Sequence, residues 1–407
     1  MFERFSHYLA YGSTDQQTMR ELTDSYDGLI VPGTIAAFQR EGTGGFVLSL
    51  SAKADAPPYL IDPRFPLFQT AQPDPKQSHY ALASLLSDGD PGQLLRAPET
   101  PVPADFDGDL IETVARNWVE FNLSYGERQA AKFNKYAGRL DEDVDQDAAK
   151  GPSGIIAPYL VADNDGWWEL AKRLYEATAA AAPQGVDVFR VVASPSAADL
   201  GLLLDDIDDP RLIVWVSDLK ELEVQPGRLV DYGRAIAAAT QSGKDCFALY
   251  GGFFSVLLAS QGLRGACHGI GYGEHRSWPE LSQSGPPPPR YYAPRFHRYI
   301  NQDLAYQLWS RDAGLTGCEC RICGNGPPVL SYHDLMKHSV FARQAEIERW
   351  GDLDLEAAYE LLEEEHEELE GDLEALDLPE PLQRPVRRAT SHFSTWISAL
   401  KQLAEEE

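Results

Sequence analysis

Hydrophobic positions repeat in one arrangement from the N-terminus to about residue 300. A short run of β-branched residues is followed by a turn with polar, Gly or Pro residues, and then by a longer segment of helical periodicity. The runs predict strands at 28–31, 58–61, 154–161, 186–192, 212–216, 246–250, 265–270 and 291–299. Eight such alternations predict an α/β fold, a (β/α)8 TIM barrel, whose functional site lies at the carboxyl ends of its strands.

An open doubly wound sheet is the alternative architecture. It would usually carry a Gly-rich phosphate-binding turn after its first strand. The turn Pro32-Gly33-Thr34, which follows the first predicted strand, is not of that kind. The barrel is therefore the favoured interpretation.

Three segments of different composition predict the domain organisation. A barrel domain at 1–310 contains an insertion at about 70–150, which is first rich in Pro, Gly and Asp and then helical. A small metal-binding subdomain follows at 311–350. The remainder, 351–407, is predicted to be an acidic helical appendage, in which a strongly acidic and solvated helical stretch at 352–379 is followed by a further helix at 385–403.

The charge of the chain is far from neutral. The formal net charge is −28, with 63 acidic residues and only ten lysines, a composition that fits a halophilic surface on which salt screens the self-repulsion. Acid concentrated in local tails is the alternative. No run approaches the ~18 apolar residues of a membrane span, and no leader segment opens the chain, so we expect a soluble cytoplasmic protein without a membrane partner. Such a surface disfavours nucleic-acid binding everywhere except at a local basic groove.

The densest chemical signal is a cluster of three cysteines within six residues. Cys318, Cys320 and Cys323 are followed by His333 and His338, and three thiolates with one histidine make a closed tetrahedral site for a structural Zn²⁺ ion. Three buried free thiols beside unrelated histidines are the alternative. The other two cysteines of the chain lie in apolar runs and are predicted to be core residues.

Two aspartates follow predicted strands at the expected mouth of the barrel. Asp62 comes after the second run and Asp218 after the fifth. A pair of carboxylates there can divide the work of displacement at an anomeric carbon, one group attacking the carbon and the other moving a proton. Each could instead only cap a helix or a turn. Asp163, in an Asp-Asn-Asp-Gly turn, is a further candidate contact to substrate.

Glycine-rich turns follow the sixth and seventh predicted strands. Gly251 and Gly252 are in the first of them, and Gly271-Tyr272-Gly273-Glu274 is in the second. Glycines let a flat ligand approach the backbone, and Tyr272 could cover its face. Tight turns without a ligand are the alternative.

A basic stretch interleaved with aromatic residues lies between 286 and 345. Cations can bind successive phosphates of a nucleic-acid strand, and the neighbouring aromatic rings can stack on its bases. Pairing of the same cations with surplus carboxylates is the alternative. The candidate nucleic-acid contacts are Arg290, Arg295, Arg298, Arg321 and Lys337.

These motifs together resemble the tRNA-guanine transglycosylases, TIM-barrel enzymes that replace a guanine base with a 7-deazaguanine and leave the strand intact. Cys318, Cys320 and Cys323 match the CxCxxC motif of their zinc subdomain, and the segment 337–341 is similar to the one that carries the fourth ligand, which favours His338 over His333.

The resemblance extends to the base-binding segments. The segment 271–274 is similar to the family's Gly-rich turn that contacts the base. Asp62 with Phe68-Gln69 resembles the family's strand-two aspartate, which implies that Phe65 or Phe68 stacks on the base.

Two departures from the family refine the expectation. The interval from Cys323 to His338 is short, and the stretch taken as the last strand, 291–298, lacks the aspartate that serves the family as nucleophile. The chain therefore looks more like the divergent branch that inserts 7-deazaguanines into DNA. We expect a zinc-containing pentosyltransferase with Asp218 as nucleophile and Asp62 as proton-transfer group, or the reverse.

The expected partners are a nucleic acid, DNA rather than tRNA, a 7-deazaguanine base, and either a partner protein or a second copy of the chain. A non-catalytic nucleic-acid-binding or assembly subunit on a degenerate barrel is the main alternative. A metal-dependent hydrolase is weaker, because a Cys3His site leaves no open metal position for water.

Overall fold

Eight parallel strands form a nearly closed barrel in the computed structural model, which describes residues 4–12, 14–51, 56–96, 98–128, 150–271, 273–281, 290–324 and 326–406. The strands are β1 (Ser6–Ala10), β2 (Gly28–Pro32), β3 (Tyr59–Asp62), β4 (Ile155–Ile156), β5 (Val188–Ser194), β6 (Arg211–Val216), β7 (Asp245–Ala248) and β8 (Leu263–His268). Their order is β3-β2-β1-β8-β7-β6-β5-β4. The two end strands meet where Ser153 N, beside β4, donates to Tyr59 O of β3 over 2.9 Å. The predicted α/β barrel is confirmed.

The eighth strand of the barrel is not the predicted one. Residues 291–299 belong instead to a separate antiparallel pair, β9 (Arg290–Ala293) and β10 (Arg298–Asn301). The barrel is completed by β1 at the N-terminus, which pairs with both β2 and β8. Its sequence, Ser-His-Tyr-Leu-Ala, places two polar residues first, so only a short apolar run of three residues marks it.

Helices and short 3-10 turns surround the barrel. Those that precede β8 are α1 (Gln16–Glu21), α2 (Gly33–Phe38), α3 (Arg40–Ser51), α4 (Gln77–Leu86), α5 (Gly108–Leu123), α6 (Tyr125–Arg128), α7 (Asp165–Ala181), α8 (Ala197–Asp205), α9 (Pro226–Gln241) and α10 (Phe253–Leu257). Those that follow it are α11 (Gln302–Trp309), α12 (Ala313–Thr316), α13 (Tyr332–Trp350), α14 (Leu355–Ala375), α15 (Glu380–Thr390) and α16 (His392–Ala404). Side-chain caps fix several starts, as where Asn164 accepts from Trp167 N at the first turn of α7.

Side chains alternate across each strand between two cores. On β6, Ile213 and Trp215 point into the barrel, whereas Leu212 and Val214 pack outward against the helices. The alternation places Tyr159, Trp215 and Leu249 inside. Because all eight strands are parallel, the residues that follow them lie at one end of the barrel.

The C-terminal helices pack against the barrel, including α14, which lies in the acidic stretch predicted to be solvated. Their buried residues, among them Leu362 of α14 and Phe393 and Trp396 of α16, belong to the same hydrophobic core as the outward face of the strands. Exposed acidic residues of α14, among them Glu356, Glu360 and Glu367, lie on its outer face. Within the described residues, no helix combines the length and apolar character needed to span a membrane.

Candidate metal centre and barrel-mouth site

The predicted ligands converge at one point. The ligand atoms of Cys318, Cys320, Cys323 and His338 all lie within 4.8 Å of one another. His338 Nδ1 is 3.6 Å from Cys320 Sγ and 3.3 Å from Cys323 Sγ. Hydrogen bonds from the Cys318 and Cys323 thiols lower the pKa of Cys320, which favours a thiolate at the centre of the cluster. These four residues, the Cys3His cluster, can hold a metal ion.

A tight turn and a capped helix position the ligands. Cys323 N and Gly324 N both donate to Cys320 O, over 3.1 and 3.0 Å, which folds the loop back on itself. Ser331 Oγ accepts from Asp334 N at the first turn of α13, and His338 follows on that helix. The cluster therefore ties the cysteine loop to a helix that packs on β9.

The imidazole of His338 is held in one tautomer. His338 Nε2 donates to Tyr292 O over 2.6 Å, which leaves the lone pair of Nδ1 facing the sulfurs. The ring of Tyr291 stacks on the imidazole with centroids 4.3 Å apart. His338 is fully buried, whereas His333, the other candidate, is half-buried and outside the cluster.

Asp62 ends β3 inside the mouth of the barrel and is fully buried. Its Oδ1 accepts hydrogen bonds from Tyr159 Oη and from Arg64 N, each over 2.9 Å. Its Oδ2 lies 2.7 Å from Arg64 Nε and 3.5 Å from Tyr250 Oη. Burial and the adjacent carboxylate raise the pKa of Tyr159, so that its hydroxyl keeps its proton and donates. Asp62 is thus an oriented carboxylate with donors on both oxygens.

The segment after β8 covers this carboxylate. Trp278 Nε1 donates to Pro66 O over 3.1 Å, and Trp215 Nε1 donates to Arg276 O over 2.9 Å. Gln69 braces the opposite side by pairing with both the N–H and the C=O of Val161. The mouth is closed over Asp62 in this conformation.

Asp218 lies in different surroundings. Its side chain is 39 % exposed and its Oδ2 is 4.0 Å from Arg228 Nε, an ion pair at the surface. Burial of its remaining part raises its pKa, and the start of α8 at Ala197 lies close to it. The structure therefore gives Asp62 and Asp218 separate partners, and their joint role stays a prediction.

The other predicted substrate contacts also lie in different surroundings, some buried and some exposed. Phe65 and Phe68 are fully buried and pack edge to face, 5.4 Å apart, so neither ring is free to stack on a base here. Asp163 is exposed on the turn before α7. Tyr272 lies outside the described residues.

The glycine turns approach protein atoms. A Cβ on Gly251 would meet Ser255 Oγ at 2.6 Å, and one on Gly252 would meet Glu221 Oε2 at 2.6 Å. Gly271 has a φ of +74° and lies against Met336, whereas Gly273, with a φ of +94°, has open space beside it. Close packing accounts for Gly251 and Gly252, and the left-handed backbone accounts for Gly271 and Gly273.

The predicted nucleic-acid contacts fall into two groups. Three of them make ion pairs within the chain: Arg295 with Asp372, Arg321 with Asp24, and Lys337 with Glu21. The other two, Arg290 and Arg298, line a cavity beside the barrel mouth.

A buried ionic network beside β8 was not predicted. Arg343 bridges Glu274 and Glu346, and His297 lies between Glu346, at 2.7 Å, and Glu365, at 2.9 Å. Burial alone would lower the pKa of His297, but the hydrogen bonds to the two carboxylates outweigh it and raise the pKa. Arg343 and Glu346 are three residues apart on α13, but the other partners are tens of residues apart and share no motif, so only the fold brings them together.

Compared with known proteins, the chain matches no protein-family model, and no curated protein is similar enough to count as a relative.

Proposed function

We propose that the Cys3His cluster holds a structural Zn²⁺ ion. Zn–S bonds of about 2.3 Å and a Zn–N bond of about 2.0 Å, arranged tetrahedrally, put sulfur and nitrogen about 3.5 Å apart. The distances of 3.6 and 3.3 Å from His338 Nδ1 to Cys320 Sγ and Cys323 Sγ agree with that value. Three thiolates and one imidazole fill the coordination shell, so the ion would brace the fold and leave no position for a reacting water.

The chain itself is, in this proposal, a base-exchange transferase that replaces guanine in a nucleic acid with a 7-deazaguanine. The observation that carries it is Asp62, a carboxylate oriented by Tyr159 and Arg64 at the carboxyl end of a barrel strand. The catalytic groups of TIM-barrel enzymes are found at that end of the barrel.

The proposed chemistry is a double displacement at the anomeric carbon. The carboxylate of Asp62 attacks C1′ of the target guanosine, the C1′–N9 bond breaks, and guanine leaves with a proton from a second carboxyl group. The incoming 7-deazaguanine returns a proton to that group from its own N9, which then attacks C1′ and releases Asp62. The two proton transfers balance.

Asp218 is the proposed second carboxyl group. Burial raises its pKa, which suits proton transfer better than nucleophilic attack. This assignment is the reverse of the one favoured by the sequence, and the raised pKa of Asp218 is the reason for the exchange of roles.

DNA is the proposed polymer rather than tRNA, on the family resemblance alone, and a second protein or a second copy of the chain would help to position it. Over most of the surface a net charge of −28 opposes binding of phosphates.

The test is base exchange at high salt with guanine-labelled DNA and tRNA, with 7-deazaguanine bases supplied. We expect release of label and a trappable covalent adduct with the wild-type chain. The adduct should be absent in Asp62→Asn and present in Asp218→Asn, which should turn over slowly. Metal content and far-ultraviolet circular dichroism of both variants control for folding. Retention of label in both polymers would refute the proposal.

A non-catalytic nucleic-acid-binding subunit is the second candidate. The closed mouth over Asp62, held by the Trp278–Pro66 hydrogen bond, favours it. This candidate predicts that both Asp variants bind nucleic acid as the wild type does and that no adduct forms under any condition.

A further inference from the structure

A cavity of about 750 Å³ lies to one side of the barrel mouth. The loops after β6, β7 and β8 form one wall, through Glu221, Gly252 and Gly273, and helices α15 and α16 form the facing wall. Asp62 is not among its lining residues. The cavity is therefore a separate feature from the covered carboxylate, with a size typical of small-ligand sites.

Cations from three parts of the chain face this cavity. They are Lys220 after β6, Arg290 and Arg298 of the β9–β10 pair, and Arg384 and Arg388 of α15. Such convergence is unexpected in a chain with a net charge of −28, in which 63 acidic residues outnumber 35 lysines and arginines.

The carboxylates of the cavity are largely committed elsewhere. Glu221 accepts hydrogen bonds from Gly252 N, Phe254 N and Ser255 Oγ, and Glu274 pairs with Arg343 on its protein side. Glu223, exposed at the rim, is the remaining acidic lining residue. The cavity thus keeps an excess of positive charge.

Arg298 shows that this charge is not neutralised within the described chain. Its Nη1 donates to Arg388 O over 3.0 Å, while its Nε is buried and has no hydrogen-bond partner among the described residues. Burial lowers the pKa of Arg298, and the positive charge of Arg388 lowers it further. The negative charge of Glu223 acts in the opposite direction but does not cancel these effects. Arg384 and Arg388, four residues apart on the exposed face of α15, form no ion pair within the part of the chain that the structure describes.

The chemistry of the walls indicates the class of ligand. Guanidinium groups bind phosphate through paired, charge-assisted hydrogen bonds, and the loops after the seventh and eighth strands of TIM barrels often hold phosphates. Backbone N–H groups at the start of α10 are already used by Glu221, so the arginines must supply the donors here. Half-buried Tyr299 and Leu304 add an apolar surface next to them.

We propose that this cavity binds the phosphate of a nucleotide, with Arg298, Arg384 and Arg388 as its ligands. The nucleotide could be free or part of a nucleic-acid strand, since the phosphate chemistry is shared. The site stands whether or not the chain exchanges bases, because it rests on residues other than Asp62 and Asp218.

The experiment measures binding by isothermal titration of the full chain at fixed ionic strength. The probes are guanosine, guanosine 5′-monophosphate and a 5′-phosphorylated single-stranded oligodeoxynucleotide. The double variant Arg384→Gln/Arg388→Gln removes two exposed cations of the cavity, and Arg387→Gln is the matched control, because Arg387 is exposed on the same helix but does not line the cavity.

We expect at least one phosphorylated probe to bind and guanosine to bind at least about tenfold more weakly, because it offers no charge-assisted partner. The double variant should weaken the phosphorylated probe by about tenfold or more, and Arg387→Gln should leave it unchanged. Binding of the mononucleotide would identify a free nucleotide as ligand, whereas binding of the oligonucleotide alone would identify a strand. Equal affinity for guanosine, equal loss in the control, or no binding of either phosphorylated probe at millimolar concentration would overturn the proposal.

Discussion

Asp62 and Arg64 form an ion pair sealed inside the barrel mouth, with Arg64 Nε 2.7 Å from Asp62 Oδ2 and both side chains less than 10 % exposed. Asp218 and Arg228 form the corresponding surface pair, 4.0 Å apart and about 40 % exposed. The same two residue types thus occur in two environments. A buried charge that loses its partner is costly, whereas an exposed one is solvated by water.

The first prediction follows from that contrast. Arg64→Ala should lower the free energy of unfolding by about 3–5 kcal/mol, because it leaves the Asp62 carboxylate buried without its cation. Arg228→Ala should change it by less than about 1 kcal/mol. Urea denaturation of both variants checks this, and equal midpoints would contradict it.

The second prediction concerns the Cys3His cluster. The purified chain should contain one Zn²⁺ ion, and Cys323→Ala should lose it, because three remaining donors hold the ion far more weakly. Cys267→Ala is the control, since Cys267 is a free cysteine buried in the barrel. Elemental analysis gives the metal content of each, and retention of zinc by Cys323→Ala would show that the ion binds elsewhere.

The sequence predicts those parts of the structure in which the interacting residues lie close together along the chain. The Cys3His cluster was predicted because its cysteines lie within one loop and its histidine lies in the next helix. Seven barrel strands were predicted from their apolar runs. Strand β1 was missed because the polar residues Ser6 and His7 interrupt its apolar pattern. The run at 291–299 was wrongly assigned to the barrel because the strands of an antiparallel pair have the same kind of composition as a barrel strand.

The site residues that sequence did not predict depend on distant contacts. Arg343 reaches Glu274 across 69 positions, and His297 reaches Glu365 across 68. Periodicity carries no information about such pairs. The same limit applies to the cavity, whose walls come from loops and helices more than 100 residues apart.

The third prediction tests whether the C-terminal helices are part of the fold. Trp396 is fully buried, and its Nε1 donates to Glu221 O over 2.8 Å. Trp396→Phe should lower the free energy of unfolding by about 1–3 kcal/mol through the lost hydrogen bond and the space left behind. Trp309→Phe should cost less than about 1 kcal/mol, because Trp309 is half-buried and its Nε1 has no partner among the described residues. Thermal unfolding should show a single transition, and a separate early transition for the helices would contradict their integration into the core.

The fourth prediction concerns salt. With a net charge of −28, self-repulsion is large, and salt shortens its range from about 10 Å at 0.1 M to about 3 Å at 1 M. The melting temperature should therefore rise between 0.1 M and 2 M KCl. Sucrose stabilises folded proteins because it is excluded from their surface, and it does not screen charge. It is therefore the control for stabilisation that does not depend on charge. A melting temperature that does not depend on KCl would contradict a halophilic surface.

The fifth prediction is a fall in stability as the pH rises above about 5, caused by the buried network beside β8. Burial, together with repulsion from Glu221 and Glu346, raises the pKa of Glu274 to about 7 from an ordinary value of about 4.5, although Arg343 opposes the shift. A carboxyl group with a higher pKa in the folded chain binds more protons when folded, so the free energy of unfolding falls as the pH rises from about 4.5 to about 7. The pKa of His297 is also raised in the folded chain, which extends the fall above its ordinary value of about 6.5.

Glu274→Gln isolates this effect, because the amide is neutral at every pH. Melting temperatures measured from pH 5 to pH 8 in 2 M KCl, where long-range repulsion is screened, should fall less steeply in Glu274→Gln than in the wild type. The control Glu367→Gln removes an exposed carboxylate of α14 and should keep the wild-type slope. Equal slopes in all three chains would show that Glu274 ionises in the folded chain as it does in water, and that Arg343 fully compensates its burial.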